Sequence, residues 1–265
     1  MSMTRRNVLQ VAAAGAMLTG CADGRPPATE VSPAPAASKA PLARPSDAPS
    51  SAPAAVPASP PPLPRGLPAQ IEHGPRNRPQ VALTFHGRGE PAIATALLTE
   101  AEKAGARLTV LAVGEWLDAC PQLARRVLDG GHELGNHTQT HGDICGMGAA
   151  AAAAEITGCA DRLRRLTGTP GRWFRPSRTR LATPLVVRLA QEAGYEHVLS
   201  YDVDSLDFTE PGTGAVRANV ARDVGPGSVV SLHFGYAGTI AALPGILDDL
   251  KRRGLRAVTT TELLT

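Results

Sequence analysis

The chain has 265 residues, a formal charge of +3 at neutral pH, and only 3% aromatic residues. So small a basic excess and so few aromatic side chains argue against nucleic-acid binding through phosphate neutralisation and base stacking. Hydrophobic residues make up 43%, enough for a packed core, but the 24 Pro and 27 Gly are unevenly spread, which separates a folding part from a non-folding one.

Residues 1–21 read as an export signal rather than part of a fold. Thr4, Arg5, Arg6, Asn7, Val8 and Leu9 form a twin-arginine type of start. The uncharged run that follows is too short to span a bilayer as a permanent helix. Leu18, Thr19, Gly20 and Cys21 are similar to a bacterial lipobox, in which Cys21 is lipidated and anchors the chain to the membrane. A simple cleaved signal with an incidental Cys is the alternative. The expected location is the outer face of the cytoplasmic membrane, the cell wall or the extracellular space. Residues 22–66 are rich in Pro, Ala and Ser, too poor in large apolar side chains to offset chain entropy, and read as a disordered, extended tether. Residues 67–265 are one domain's worth of chain.

In that domain, residues 80–85 alternate and are β-rich, so a strand is expected there, ending at His86, Gly87, Arg88 and Gly89. A helix is expected over 91–104, with Pro91 near its start and Gly105 past its end. A strand over 107–113, a loop opening at 114–117 and a helix over 121–128 follow. Residues 149–166 read as a long helix stopped by Gly168 and Pro170. A short strand is expected over 172–176, with Trp173 and Phe174 in the core. Thr183 caps a helix over 184–193, Gly194 ends it, and a strand follows over 197–203. Helices over 216–223 and 240–253 flank a strand over 228–232, and a last strand covers 255–258. Such alternation predicts a parallel sheet with crossover helices. Of the three Cys in the domain, the preferred pair is Cys145 and Cys159, closing a loop of about 15 residues for roughly 3 kcal/mol in the chain-entropy account.

The polar residues that fall just after strands are His86, His137, His141, Arg175, Asp204, Asp207 and His233. In a β/α barrel or a doubly wound sheet such positions meet at one rim. Three of the seven His lie within residues 131–143. On a helical turn, His137 and His141 would stack on one face and reach one divalent ion, with Asp143 as a further oxygen ligand and Thr138 in support. No glycine-rich nucleotide loop follows a strand, and no nucleophile elbow occurs, which argues against nucleotide enzymes and serine esterases.

With these residues in order, the chain from about Val81 to its end resembles the polysaccharide deacetylase family (carbohydrate esterase family 4). Residues 131–143 resemble its second motif, whose two His bind the metal. Residues 174–178 resemble the third, normally Arg-Pro-Pro-Tyr; residues 204–208 the fourth, normally Asp-x-x-Asp-Trp; and residues 230–233 the fifth, Leu-x-x-His. The resemblance implies an α/β fold, a distorted (β/α) barrel, and a metal-dependent hydrolase acting on carbon–nitrogen bonds other than peptide bonds. The implied partner is acetylated polysaccharide or peptidoglycan, the implied cofactor a divalent metal ion such as zinc. His137 and His141 would hold the ion. His233, oriented by Asp207, would protonate the leaving group. The backbone N–H of Arg178 would meet the oxyanion, and Phe208 would stand where substrate binds.

The first motif departs from the pattern. Where the family has Thr-Phe-Asp-Asp-Gly, this chain has Thr84, Phe85, His86, Gly87 and Arg88. His86 stands at the general-base position and Gly87 at the ligand position. His86 serves either as the base, which an imidazole suits, or as the third ligand of an all-histidine site. Arg175, which in the family orients the base Asp, either acts differently here or pairs with Asp207 on the rim. The lost Asp pair leaves two functional readings: an altered deacetylase, or a non-catalytic module that binds glycan or another envelope partner.

Overall fold

The computed structural model describes residues 61–265. The export signal, Cys21 and residues 22–60 of the tether lie outside the described residues. In chain order the elements are β1 (Gln70–Ile71), β2 (Gln80–Gly87), α1 (Pro91–Lys103), β3 (Thr109–Ala112), α2 (Gly114–Ala119), α3 (Gln122–Asp129), β4 (Glu133–Asn136), α4 (Ala149–Thr167), α5 (Pro184–Glu192), β5 (Val198–Leu199), β6 (Val203–Asp204), α6 (Thr213–Asp223), β7 (Val229–His233), α7 (Ala237–Arg252), β8 (Arg256–Val258) and α8 (Thr260–Leu264). No helix among the described residues is long and apolar enough to cross a membrane.

Strand β2 is buried along nearly its whole length because both its faces are covered. Val81, Leu83 and Phe85 point outward into a core shared with Leu97 and Leu98 of α1 and Leu243, Ile246 and Leu250 of α7. Ala82 points the other way, into an inner core with Leu111, Trp173, Leu199, Val229 and Val258. This period-two division is what delivers chosen side chains to the interior.

Among the described residues all ladder pairings are parallel. β2 pairs with β3, and β3 with β4. Single bridges join Asn136 to Phe174 and Phe174 to Val198. The chain from β5 to β6 then reaches β7, which pairs with β2. β8 wedges in beside the first half of β2, and β1 pairs with β5. The ring is distorted where β5 and β6 are interrupted at residues 200–202. The result is the α/β arrangement expected, with helices outside a ring of parallel strands.

Several local expectations change. Residues 114–117 are not a loop but open α2. The expected strand at 172–176 reduces to bridges at Phe174, and the one at 197–203 splits in two. Leu63, within the stretch read as tether, packs with Leu67 against the inner core. Cys145 and Cys159 are both free rather than paired. Cys159 is buried with Sγ 3.3 Å from the Ala112 carbonyl, whereas Cys145 lies against Leu181, so the two sulfurs are committed to different neighbours.

Candidate active site

The register of β2 on β7 places His86 beside His233 and Thr84 beside Ser231. The side chain of His86 continues the inward-facing column of Ala82 and Thr84. Its ring stacks on His233 with centroids 4.3 Å apart and an angle of 21°. Gly87 belongs to the outward set. A Cβ there would lie 3.0 Å from Cα of Ala112 and 3.0 Å from Cγ1 of Val110, so a side chain at the position that carries an acid in the resembling motif requires β3 to give by a few tenths of an ångström.

His137 and His141 follow β4 but do not share a helical turn. Thr138 and His141 adopt left-handed conformations, with φ of 70° and 62°, and these two bends curl the loop so that both imidazoles come together. The ring centroids are 4.9 Å apart. The loop is held by side chains. Asn136 accepts from the Thr138 N–H at 2.9 Å and donates to the Ile156 carbonyl and the Tyr195 hydroxyl. Thr138 accepts from the His141 N–H at 3.2 Å and bonds the Ser177 hydroxyl rather than a His ring. Glu155 of α4 accepts from both the N–H and the hydroxyl of Thr140. Asp143 is exposed and is not part of the cluster.

One nitrogen each from His86, His137 and His141 lies within 4.8 Å of the others. His86 Nδ1 and His137 Nε2 are 2.8 Å apart. The other nitrogen of His137, Nδ1, is 3.0 Å from the Arg175 carbonyl, which can only accept, so Nδ1 carries the proton and Nε2 keeps its lone pair. The other nitrogen of His86, Nε2, is 3.1 Å from the Ser231 hydroxyl. Arg175 Nη1, which can only donate, stands 3.4 Å from the same Nε2, so Nε2 accepts and Nδ1 donates to His137 Nε2; the proton moves to Nε2 before Nδ1 can serve as a ligand. Burial, and then the neighbouring cations, hold His86 and His137 well below their ordinary pKa, and burial with Arg88 and Arg178 brings His141 down to about 4. The three rings are therefore neutral at pH 7, as ligands must be. Three converging neutral imidazoles, that of His137 with its outer nitrogen donating to a carbonyl, fit a divalent metal ion.

Beside this cluster, His233 donates from Nδ1 to Asp207 at 2.6 Å. Asp207 is fixed by the backbone N–H of His233 and by the Thr239 hydroxyl, at 2.8 and 2.7 Å. Its carboxylate is thus committed to His233 and does not pair with Arg175. Arg175 is fully buried and donates to the carbonyls of Leu199 and Ser200; Nη1 lies 3.4 Å from His86 Nε2. Burial lowers its pKa to about 10. Phe208 is 46% exposed and meets the His233 ring edge-on, centroids 5.5 Å apart. Arg178 is also exposed and left-handed, with φ of 58°. Among the described residues nothing accepts from its backbone N–H.

A cavity of about 360 Å³ opens over these groups, lined by His86, His141, Arg178, Phe208, His233 and Tyr236 among others. Trp173 and Phe174 are wholly buried, as expected of core residues. Ser231, Glu155 and Tyr236 were not foreseen from sequence. Ser231 was open to the period-two rule, two residues before His233 on the same strand face; Glu155 carried no local signal.

The chain resembles known proteins in sequence and in fold. A family profile for polysaccharide deacetylase matches residues 73–198. A peptidoglycan-N-acetylglucosamine deacetylase of Bacillus cereus is 31% identical over 194 residues, covering 72% of this chain and 90% of the relative. A chitooligosaccharide deacetylase of Bradyrhizobium is 27% identical, covering 66% of this chain and 85% of the relative. Among solved structures, BA3943 of Bacillus anthracis, a pseudoenzyme of the CE4 family, superposes with a TM-score of 0.70 at 25% identity, over 75% of this chain and 70% of its own. A mutant of that pseudoenzyme with restored enzymatic activity matches at 0.71. The chain belongs to the polysaccharide deacetylase family.

Proposed function

We propose that the protein is an exported, metal-assisted hydrolase that removes acetyl groups from an N- or O-acetylated glycan of the cell envelope, held at the membrane through Cys21. The observation that carries this reading is the convergence of His86, His137 and His141 beside the His233–Asp207 pair. The three His would hold a divalent ion, and imidazole donors suit zinc. Such an ion, when bound, polarises an acetyl carbonyl and makes a water nucleophilic at neutral pH. Of the two roles open to His86, the convergence of its ring nitrogen with those of His137 and His141 supports the ligand. His233 then handles the protons. Its Nδ1–H is fixed on Asp207, so Nε2 takes the proton of the attacking water and returns it to the departing amine or hydroxyl. Asp207 stabilises the intervening imidazolium, and the Arg178 N–H is available to the oxyanion. Phe208 and Tyr236 offer apolar faces to the sugar beside His233.

The first experiment is zinc content of the purified full-length protein after loading and dialysis, alongside acetate release from acetylated peptidoglycan and chitooligosaccharides. One retained ion per chain, lost in His86→Ala, with acetate release lost as well, is the expected result. Full retention of zinc in His86→Ala would remove His86 from the ligand set. The second reading, a non-catalytic glycan-binding module, is favoured by one observation: position 87 holds a glycine packed tightly against β3 and offers no acidic ligand. Saturable glycan binding with no acetate released and no retained metal would establish it. Mass spectrometry of the mature N-terminus tests acylation of Cys21.

A further inference from the structure

The two nitrogens of the His86 ring face different neighbours, and only one of those neighbours can change its part. Nδ1 lies 2.8 Å from His137 Nε2. Nε2 meets two groups, Arg175 Nη1 at 3.4 Å and the Ser231 hydroxyl at 3.1 Å. A guanidinium only donates, whereas a hydroxyl both donates and accepts. Arg175 is held where it is: it is fully buried, with Nε and Nη2 fixed on the carbonyls of Leu199 and Ser200. It therefore makes Nε2 an acceptor, and the ring proton sits on Nδ1, directed at His137. His137 in turn gives its own Nδ1 proton to the Arg175 carbonyl at 3.0 Å. The result is a closed chain of hydrogen bonds, from the Arg175 side chain through two imidazoles back to the Arg175 backbone. It occupies the lone pair of His137 that an ion would need.

To ligate through Nδ1, His86 must release that proton to solvent and take one up on Nε2, so the ring stays neutral and its proton count is unchanged. The new Nε2–H then needs an acceptor. Arg175 offers it only N–H groups. Ser231 Oγ is the acceptor within reach, and among the described residues Nε2 is the one hydrogen-bond partner that Oγ has. Ser231 also lines the cavity, so its own hydroxyl proton can turn to water there. Its backbone is settled independently: β7 pairs with β2, and the Ser231 carbonyl accepts from the Ser205 N–H at 3.3 Å. Removing the hydroxyl therefore leaves the strand's own bonds in place. One fixed donor and one two-way hydroxyl thus compete for the same nitrogen.

We propose that Ser231 is the positioning residue that turns His86 into a metal ligand: its hydroxyl accepts the Nε2 proton against the donor Arg175, and so sets how tightly the ion is held. The proposal rests on the metal-binding reading of the three His. It is tested on the full-length protein at neutral pH by two measurements. One is zinc affinity in competition with a chelator; the other is the nitrogen NMR shifts of the His86 ring, which report the nitrogen that carries the proton. The proton is expected on Nδ1 in the metal-free wild type and on Nε2 once zinc is bound. Ser231→Ala should hold zinc about tenfold more weakly, the usual scale for a lost partner of a ligand's outer nitrogen. The melting temperature of its metal-free form should be unmoved, because the chain through Arg175 does not need the hydroxyl; a merely structural role would lower it. Ser231→Thr keeps a hydroxyl and should recover much of the affinity. The ring shifts are read in the wild type, so the test stands even if a variant folds poorly. A metal-free ring already protonated on Nε2 overturns the proposal, as does equal zinc affinity in wild type and Ser231→Ala. Bound zinc with His86 still protonated on Nδ1 also overturns it, while leaving an ion on the other His and the hydrolase reading alive. A wild type that retains no zinc defeats both.

Discussion

Position 87 shows how one residue redefines a site. With Gly there, β2 runs flush against β3 to its last residue, and the ligand position of the family motif offers no donor. Restoring an acid is not a matter of chemistry alone. The new Cβ presses on the Ala112 backbone, which cannot swing aside as a flexible side chain would. Gly87→Asp is therefore expected to destabilise the metal-free protein by about 1–3 kcal/mol, the usual range for overpacking, as read from the midpoint of urea unfolding. An unchanged midpoint would mean that β3 yields freely. Glu155 presents the opposite case, a residue outside the cavity lining that supports the loop carrying His141. It accepts twice from Thr140, the residue before His141. Glu155→Ala strands the Thr140 N–H and loosens the loop between the two His. Zinc affinity, measured by competition with a chelator, should fall about tenfold or more, with Glu155→Gln recovering much of the loss. A larger effect on the melting of the metal-free protein than on zinc affinity would mark Glu155 as structural only.

At the scale of the element, short pieces depend on partners that the sequence does not display. α8 is an instructive one. Thr259 accepts from the Glu262 N–H while Glu262 accepts from the Thr259 N–H, a capping box that starts a five-residue helix. The helix matters because Thr261 and Trp173 both donate to Glu133 of β4, whose pKa burial raises. Thr259→Ala should cost about 1 kcal/mol in equilibrium unfolding, the typical value of a lost N-cap. This box was written in the sequence, in a segment left without a helix. Long elements were easier. α1, α4 and α5 announce themselves by Pro at the start, Thr183 as a cap and Gly168 as a left-handed stop. β4 has four residues and exists because β3 pairs with it, so no window of sequence carries its signal, whereas β5 and β6 fall within the strand expected over 197–203 and only their interruption was hidden. The same holds inside the site. Strand-end position was enough to gather His86, Arg175, Asp207 and His233 as candidates. It could not say that Arg175 turns to the carbonyls of Leu199 and Ser200, or that His137 and His141 meet through two left-handed residues rather than a helix.

At the scale of the whole molecule, the fold concentrates neutral imidazoles and unpaired cations at one end of its ring of strands, and this ties stability to pH. The ordinary His value is 6.5, and His141 is held near 4 by burial and by Arg88 and Arg178, with His86 and His137 displaced in the same direction. Above pH 6.5 these rings are neutral in both folded and unfolded chains, and their stability contribution is complete. Between pH 6.5 and about 4 the unfolded chain takes up protons that the folded one refuses, so acidification favours unfolding. Below about 4 the contribution of His141 is fully lost and its slope ends. The melting temperature of the metal-free protein should therefore fall steadily across that window. His141→Gln removes one titrating ring and should flatten the fall, whereas general protonation of carboxylates affects both proteins alike. Zinc loading should hold the melting temperature up further into the acid range, because the ion binds only the deprotonated rings and its occupancy adds stability by mass action. If wild type and His141→Gln lose stability in parallel from neutral pH to the acid limit, the protons are being taken up elsewhere, and the cationic end of the ring does not govern the acid sensitivity of the fold.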